Sequence, residues 1–202
     1  MLDKWINLQH IKNNANLRKQ FLENKPFSHL VLGNFFNEKR INKVLAALKQ
    51  ESFAEKNSDL FQFKQTADIK HSRNKVLQEF HKFFSSKEFL SFISELTGIR
   101  VSSIDMSGFI YGDTDHLLPH DDRLEGRKIA YILNLTKNFN KEDGGSLDLF
   151  GFRNNKPTNV LKSIPPTFNT LTIFKVQKNS FHQVSEVLSK KKRFSFGGWF
   201  HG

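Results

Sequence analysis

Leu117-Leu118-Pro119-His120-Asp121-Asp122-Arg123 decides how this chain is read. The stretch reads as a short β-like run, and its His120 and Asp122 are two positions apart. In an extended strand, residues two apart point to the same face. His120 and Asp122 are therefore expected on one face, with Asp121 turned toward solvent or a supporting role. A lone histidine, His182, follows 60 residues after Asp122, and Arg193 stands 11 residues beyond it.

Working outward, the second half of the chain reads as strands. Short β-like runs are expected at Ile104–Tyr111, Leu117–Arg123, Lys128–Leu135, Ser146–Phe150, Asn159–Ile164, Thr170–Val176, Phe181–Val187 and Arg193–Phe200, punctuated by Gly, Pro, Asn and Asp. The first half reads mostly as helix. Trp5, Leu8, Ile11, Ala15 and Leu17 have helical spacing over residues 5–23. A short strand is expected over Phe27–Leu32. Asn37 then caps a helix whose stripe is Ile41, Val44, Leu45 and Leu48. Further helices are expected over residues 72–84 and 86–97, the second capped by Ser86 and ended by Gly98. Eight short strands with helices segregated to one side predict a mainly β protein, a double-sheet jelly roll preceded by a helical half. One domain spans residues 1–202, with 1–100 as helical support and 101–202 as the jelly-roll core.

Composition bounds the rest. The chain has 202 residues, 22 of them Phe against 2 Trp and 2 Tyr, which reads as a Phe-packed core. With no Cys there is no disulfide framework and no thiolate metal site. No apolar run approaches a membrane span, and the N-terminus lacks the apolar core of a signal peptide. A cytoplasmic protein without membrane contact is expected. The net charge is +11, with 17 basic against 10 acidic residues in 1–100 and 14 against 10 in 101–202. Such an excess suits an acidic partner such as RNA or a ribosome, and equally a lysine-rich solvated surface. Lys190-Lys191-Lys192-Arg193 is a basic run more typical of a strand-connecting turn than of a nucleic-acid patch.

His120, Asp122 and His182 make a 2-His-1-carboxylate set, the facial ligand set of non-haem Fe(II), with open positions for a chelating 2-oxo acid and O2. The far carboxylate of such an acid needs a cation. Arg193 is suited to bidentate carboxylate binding, and Ser195 shares its face and adds a hydroxyl donor. His10, His29, His71, His81, His116 and His201 are read as surface or packing residues. Leu118, Leu147 and Phe174 are read as pocket lining or plain core.

Leu117–Ala130, Gly144-Gly145-Ser146-Leu147-Asp148-Leu149, Ser180–Leu188 and Ser195-Phe196-Gly197-Gly198-Trp199-Phe200-His201-Gly202 resemble the prolyl-hydroxylase branch of the 2-oxoglutarate- and Fe(II)-dependent oxygenases. Within it they are most similar to the catalytic domain of the ribosomal prolyl 3-hydroxylases. Residues 101–202 carry the resemblance strongly and the helical half weakly. The resemblance implies oxidative decarboxylation of 2-oxoglutarate by O2 at Fe(II), supported by ascorbate, coupled to hydroxylation of a prolyl ring, at C3 if the ribosomal likeness holds. It implies a protein substrate, by analogy one in the small ribosomal subunit. Eukaryotic members of that group carry a second, non-catalytic jelly roll, and this sequence matches the first.

The sequence departs from that pattern at one position. A Tyr commonly contacts the cosubstrate from the strand after the H-x-D motif; in Ala130-Tyr131-Ile132-Leu133-Asn134-Leu135 the matching residue is Asn134. Asn134 can still donate a hydrogen bond, over a shorter reach. Tyr131 is expected on the opposite face. Tyr111, nine residues before His120, reads either as a cosubstrate contact or as a core residue. Two other readings stay open. The same iron chemistry could serve free proline, another small molecule or nucleic acid, or the chain could be a non-catalytic jelly-roll binding module.

Overall fold

The structure, a computed structural model, describes residues 2–202. Three short helices open it: α1 (Leu2–Trp5), α2 (Leu8–Lys12) and α3 (Asn14–Glu23). α2 and α3 occupy most of the span 5–23 that the sequence reads as one helix, and α1 ends at its first residue. Tertiary pairing interrupts that helix at Ile6 and Asn7. Ile6 bridges Phe36, the Asn7 amide donates to the Phe35 carbonyl, and the Asn37 amide donates back to the Trp5 carbonyl. Next come β1 (His29–Leu32), α4 (Glu38–Leu48), β2 (Ala54–Ser58), β3 (Phe61–Gln65), α5 (Lys75–Phe84) and α6 (Lys87–Thr97). The caps fall where the sequence puts them. The Asn37 side chain accepts from the Arg40 amide and Ser86 from the Phe89 amide, while Gly98 closes α6 at φ +70°. One further cap, Asn74, accepts from the Val76 amide and starts α5 three residues later than expected.

The remaining strands are β4 (Ser103–Ile104), β5 (Ser107–Tyr111), β6 (His116–His120), β7 (Arg127–Asn134), β8 (Leu147–Arg153), β9 (Lys156–Ile164), β10 (Thr170–Lys175), β11 (His182–Val184) and β12 (Arg193–His201). They form one antiparallel sheet in the order β1-β10-β7-β12-β5-β3-β6-β11-β8-β9, with β2 added to β3 and β4 to β12. The sheet is curled. Phe174 of β10 and His182 of β11 lie far apart in that order, yet their rings meet at 4.5 Å. The architecture is therefore the expected mainly β jelly roll with supporting helices.

Two further differences from the sequence reading lie among the strands. The hairpin β2–β3 falls where no element is expected. Every residue of β2 is exposed, so the alternation that would announce it is missing, and only Phe61, Phe63 and Gln65 of β3 carry a period of two. The expected strand Ile104–Tyr111 is split at Asp105, where side-chain bonds join the backbone contact to β12. The Asp105 carboxylate accepts from the Trp199 amide and meets His201, and its carbonyl accepts from the Tyr131 hydroxyl.

The helices cover one face of the sheet. Phe36, Phe80, Phe84 and Phe89 pack there with Tyr131, Phe196 and Phe200. Rings meet at centroid separations of 4.5 to 6.2 Å among Phe84, Phe89, Tyr131 and Phe200. The abundance of Phe is thus core packing, which fixes α5 and α6 on the sheet and leaves the inner face of the curl open. Gly108 of β5 marks how close this packing is, since a Cβ there would collide with Leu48 of α4.

Candidate metal centre and anion pocket

Inside the curl lies a cavity of about 270 Å³ whose lining includes His120, Asp122, His182, Arg193 and Ser195. His120 and His182 are cross-strand partners in the antiparallel β6–β11 pair. A bulge follows: His182 opposes His120 but Val184 opposes Leu117, so β6 spends one more residue than β11. The extra residue turns the strand, so Leu117 and His120 both line the cavity although they are three positions apart. It also detaches His116, whose Nδ1 bonds the Thr114 carbonyl at 3.0 Å outside the site. Leu118 turns outward and is 40% exposed, so it is not pocket lining.

Asp122 reaches the histidines by a different route from the expected one. β6 ends at His120, and Asp122 sits at φ +62° in the turn that follows. The two-residue spacing therefore works through a left-handed turn, which Asp tolerates better than most residues. Asp122 Oδ1 lies 3.4 Å from His120 Nε2, and Oδ2 lies 3.2 Å from His182 Nε2. All three ligand atoms fall within 4.8 Å of one another. Asp121 faces away, accepting from Arg123 Nε at 2.8 Å.

The donor set fits a divalent metal. Each histidine donates its Nδ1 hydrogen to the carbonyl two residues earlier, His120 to Leu118 at 2.8 Å and His182 to Ser180 at 2.9 Å. Those bonds orient both rings and leave each Nε2 to face the carboxylate. Burial by itself would lower the His120 pKa, but hydrogen bonding to Asp122 and its charge outweigh that and hold it raised. Burial likewise works to raise the Asp122 pKa, and the hydrogen bonds from His120 and His182 overcome it, holding the carboxyl far below its usual range. A carboxylate clamped between two imidazoles is a site that exchanges protons for a cation.

Arg193 begins β12 and is 1% exposed. Its Nη2 donates to Asn134 Oδ1 at 3.1 Å, and its guanidinium stands over the Tyr111 ring at 5.0 Å. Among the described residues no carboxylate pairs with it, and its Nε and the neighbouring Asn134 Nδ2 have no hydrogen-bond partner. Burial pushes its pKa down to about 10. Burial of an unpaired cation costs several kcal/mol in order-of-magnitude terms, so an anion at this end of the cavity would be favoured. Ser195 and Asn134 are cross-strand partners in β12–β7, as are Arg193 and Tyr111 in β12–β5. The register thus gathers Tyr111, Asn134, Arg193 and Ser195 around one point. Tyr111 is buried, and burial raises its pKa far above the ordinary phenol value. Tyr131 faces the helices, as expected from its parity. Leu147 packs with Phe174 in a small core, and Phe174 also lines the cavity.

Sequence reasoning did not single out the apolar remainder of the cavity. Phe61 and Phe63 of β3, Phe109 of β5, Ile132 of β7 and Trp199 of β12 line it. The odd-numbered residues of β12 run along its floor as Arg193, Ser195, Gly197 and Trp199. That alternation was a usable signal for Trp199.

Comparison with known proteins agrees with this geometry. Residues 106–201 match the family model described as 2OG-Fe(II) oxygenase superfamily. The chain is 42% identical over 189 residues to prolyl 3-hydroxylase OGFOD1 of Xenopus laevis, covering 90% of this chain and 36% of that protein. It is 32% identical over 209 residues to prolyl 3,4-dihydroxylase OGFOD1 of Ostreococcus tauri, covering 90% of this chain and 41% of that protein. The chain thus spans little more than a third of the length of these curated relatives. Among solved structures, a prolyl-4-hydroxylase of Pseudomonas putida is similar with a TM-score of 0.74 at 15% identity, over 92% of this chain and 98% of that one. A prolyl hydroxylase of Trichoplax adhaerens, solved with a hypoxia inducible factor peptide fragment, gives a TM-score of 0.73 at 18% identity, over 96% and 93%. At these identities the structures establish the shared fold.

Proposed function

From the premise that the chain belongs to the 2OG-Fe(II) oxygenase superfamily, we propose that it is a 2-oxoglutarate- and Fe(II)-dependent dioxygenase that hydroxylates a prolyl residue of a protein. The observation that carries the reading is the pairing of two features in one cavity. A neutralising His120-Asp122-His182 clamp lies along one wall, and a buried, unpaired Arg193 lies at one end.

In this reading His120, Asp122 and His182 hold Fe(II), which when bound supplies the oxidative decarboxylation of 2-oxoglutarate by O2 and the insertion of oxygen into a C–H bond. Arg193 holds the distal carboxylate of 2-oxoglutarate, a planar fork meeting a planar anion. Ser195 donates a hydroxyl hydrogen to the same carboxylate. Asn134 orients the guanidinium through Oδ1 and keeps its free Nδ2 for the cosubstrate, the role a Tyr commonly fills. Tyr111 closes the pocket around Arg193. The Phe61, Phe63, Phe109 and Trp199 walls exclude water and present an apolar slot in which a pyrrolidine ring is held against the metal side.

The relatives named as prolyl 3-hydroxylases support attack at C3. We extend the reading to a proline of a small-subunit ribosomal protein in the cytoplasm, with ascorbate sustaining turnover. The +11 net charge suits work beside RNA. No helix among the described residues is long and apolar enough to cross a membrane. The test is incubation with Fe(II), 2-oxoglutarate, ascorbate and air, adding ribosomes from cells that lack the protein. Mass spectrometry of the ribosomal proteins should then find one added oxygen on a proline, absent with Asp122→Ala. Succinate formation without that gain would direct the search to other substrates, and no succinate at all would end the oxygenase reading.

A further inference from the structure

Arg127 is the charged side chain of the cavity to which the proposed reaction gives no role. It should not be there by strand alternation. Ile132 and Ala130 of β7 line the cavity, so Lys128 would come next. Instead, Phe200 opposes Ile129 and His201 opposes Arg127, which makes Lys128 the extra residue of a bulge. Bulges re-aim side chains, and this one turns Arg127 inward. Its guanidinium lies over the Trp199 ring at 3.3 Å from the centroid. From there Nη1 donates to the Asp122 carbonyl at 3.3 Å.

That carbonyl belongs to the residue with φ +62°. A left-handed non-glycine residue is strained and persists only where its surroundings hold it. The turn is held on both sides of Asp122. Asp121 accepts from Arg123, and the Asp121 carbonyl accepts from Ser180 Oγ. The Arg127 amide donates to the Leu124 carbonyl, and the Gly202 amide to the Gly126 carbonyl. At Asp122 itself, the carbonyl's hydrogen bond comes from Arg127. Among the described residues no carboxylate pairs with Arg127. Its charge is directed to that peptide and to the Trp199 face.

We propose that Arg127 is a positioning residue of the metal centre: stacked on Trp199, it holds the Asp122 peptide in the left-handed turn from which the carboxylate reaches between His120 and His182. The inference rests on the reading of those three residues as metal ligands. It ties the wall of the apolar slot, through Trp199, to the geometry of a ligand.

The test reads metal binding without turnover. Co(II) affinity and the visible Co(II) absorption spectrum are measured on the cosubstrate-free protein, anaerobically. Arg127→Ala should weaken Co(II) binding about tenfold or more, as loss of an outer partner of a ligand does, and should change the spectrum. Arg127→Lys keeps a donor but not the flat stack and should recover part of the loss. Trp199→Phe keeps a stacking face and should stay near wild type, while Trp199→Ala should follow Arg127→Ala. In an Asp122→Ala background, Arg127→Ala should cost nothing further, because the ligand it positions is gone. Unchanged affinity and spectrum in Arg127→Ala, or an equal loss in the Asp122→Ala background, would overturn the proposal. Wild-type protein that takes up no Co(II) in an Asp122-dependent way would overturn the metal-centre reading itself, and this proposal with it.

Discussion

His120 and His182 stand opposite each other across the β6–β11 pair, with ring centroids 4.2 Å apart. Neither strand supplies the carboxylate between them. Two imidazoles thus come from rigid, paired backbone, and the third group comes from a turn. The arrangement places two donors on paired strands and one on a turn held by side chains, and it makes the expected effects of substitution unequal.

His182 is 4% exposed and its Nδ1 is bound to the Ser180 carbonyl. His182→Ala should abolish stoichiometric Mn(II) or Co(II) uptake in calorimetry while leaving a folded protein. Full uptake by that variant would remove His182 from the site.

Arg193 carries a cost in stability that its proposed role would explain. Its charge is buried without an ion-pair partner among the described residues. Replacing such a charge by an apolar side chain of similar volume is often neutral or stabilising, by about 1–4 kcal/mol. Arg193→Met should therefore unfold at equal or higher urea than wild type in the absence of cosubstrate, bind Co(II) normally, and fail to bind 2-oxoglutarate. A marked loss of stability would mean that the cation is already compensated.

Asn134 tests the departure from the Tyr pattern. Its Oδ1 accepts from Arg193, and its Nδ2 has no partner. A hydrogen bond to a charged group contributes about 1.5–3 kcal/mol, so Asn134→Ala should raise the KM for 2-oxoglutarate roughly ten- to hundredfold with metal affinity unchanged. An unchanged KM would leave Asn134 a structural neighbour only.

Gly144 explains one of the motifs. It has φ +72° and ψ −145°, and a Cβ would collide with the Glu186 carbonyl. Next to it, a Cβ on Gly145 would press on Arg193 Cδ at 3.2 Å. Gly144→Ala should destabilise by about 2 kcal/mol or more, because the backbone region is nearly glycine-only. Gly33→Ala, where nothing lies within 4 Å, is the control and should change little. Urea midpoints for the pair give the comparison.

His29 sets a pH dependence of stability. It is fully buried on β1, its Nε2 has no partner, and burial lowers its pKa below the ordinary histidine value. The unfolded chain then binds more protons than the native one as pH falls below about 6.5, so stability is complete above that pH and declines below it. His10 and His81 are lowered by burial in the same direction. Thermal midpoints measured between about pH 7.5 and 5 should fall, and His29→Leu should flatten part of the slope. An identical slope in the variant would exclude His29 as a source.

The caps at Asn37, Ser86 and Gly98 were legible because capping is a local contest between a side chain and a few backbone amides. The strands with apolar alternation were legible for the same reason. The hairpin β2–β3 was not, because an exposed strand has no buried face to impose a period. The helix expected over 5–23 is interrupted at Ile6 and Asn7 because Phe35 and Phe36, some thirty residues away, offer its backbone other partners.

The candidate site divides along the same line. Residue type and order alone determined the donor set, His120, Asp122, His182 and Arg193, because ligand chemistry resides in side-chain atoms. The tertiary structure decided how they meet. A bulge in β6 separates His120 from His116, a left-handed turn aims Asp122, and a bulge in β7 turns Arg127 inward. Cross-strand register brings Asn134 to an arginine 59 residues later. A single extra residue reverses which way a strand's side chains point. Long-range pairing sets where that residue falls, and no local pattern records it.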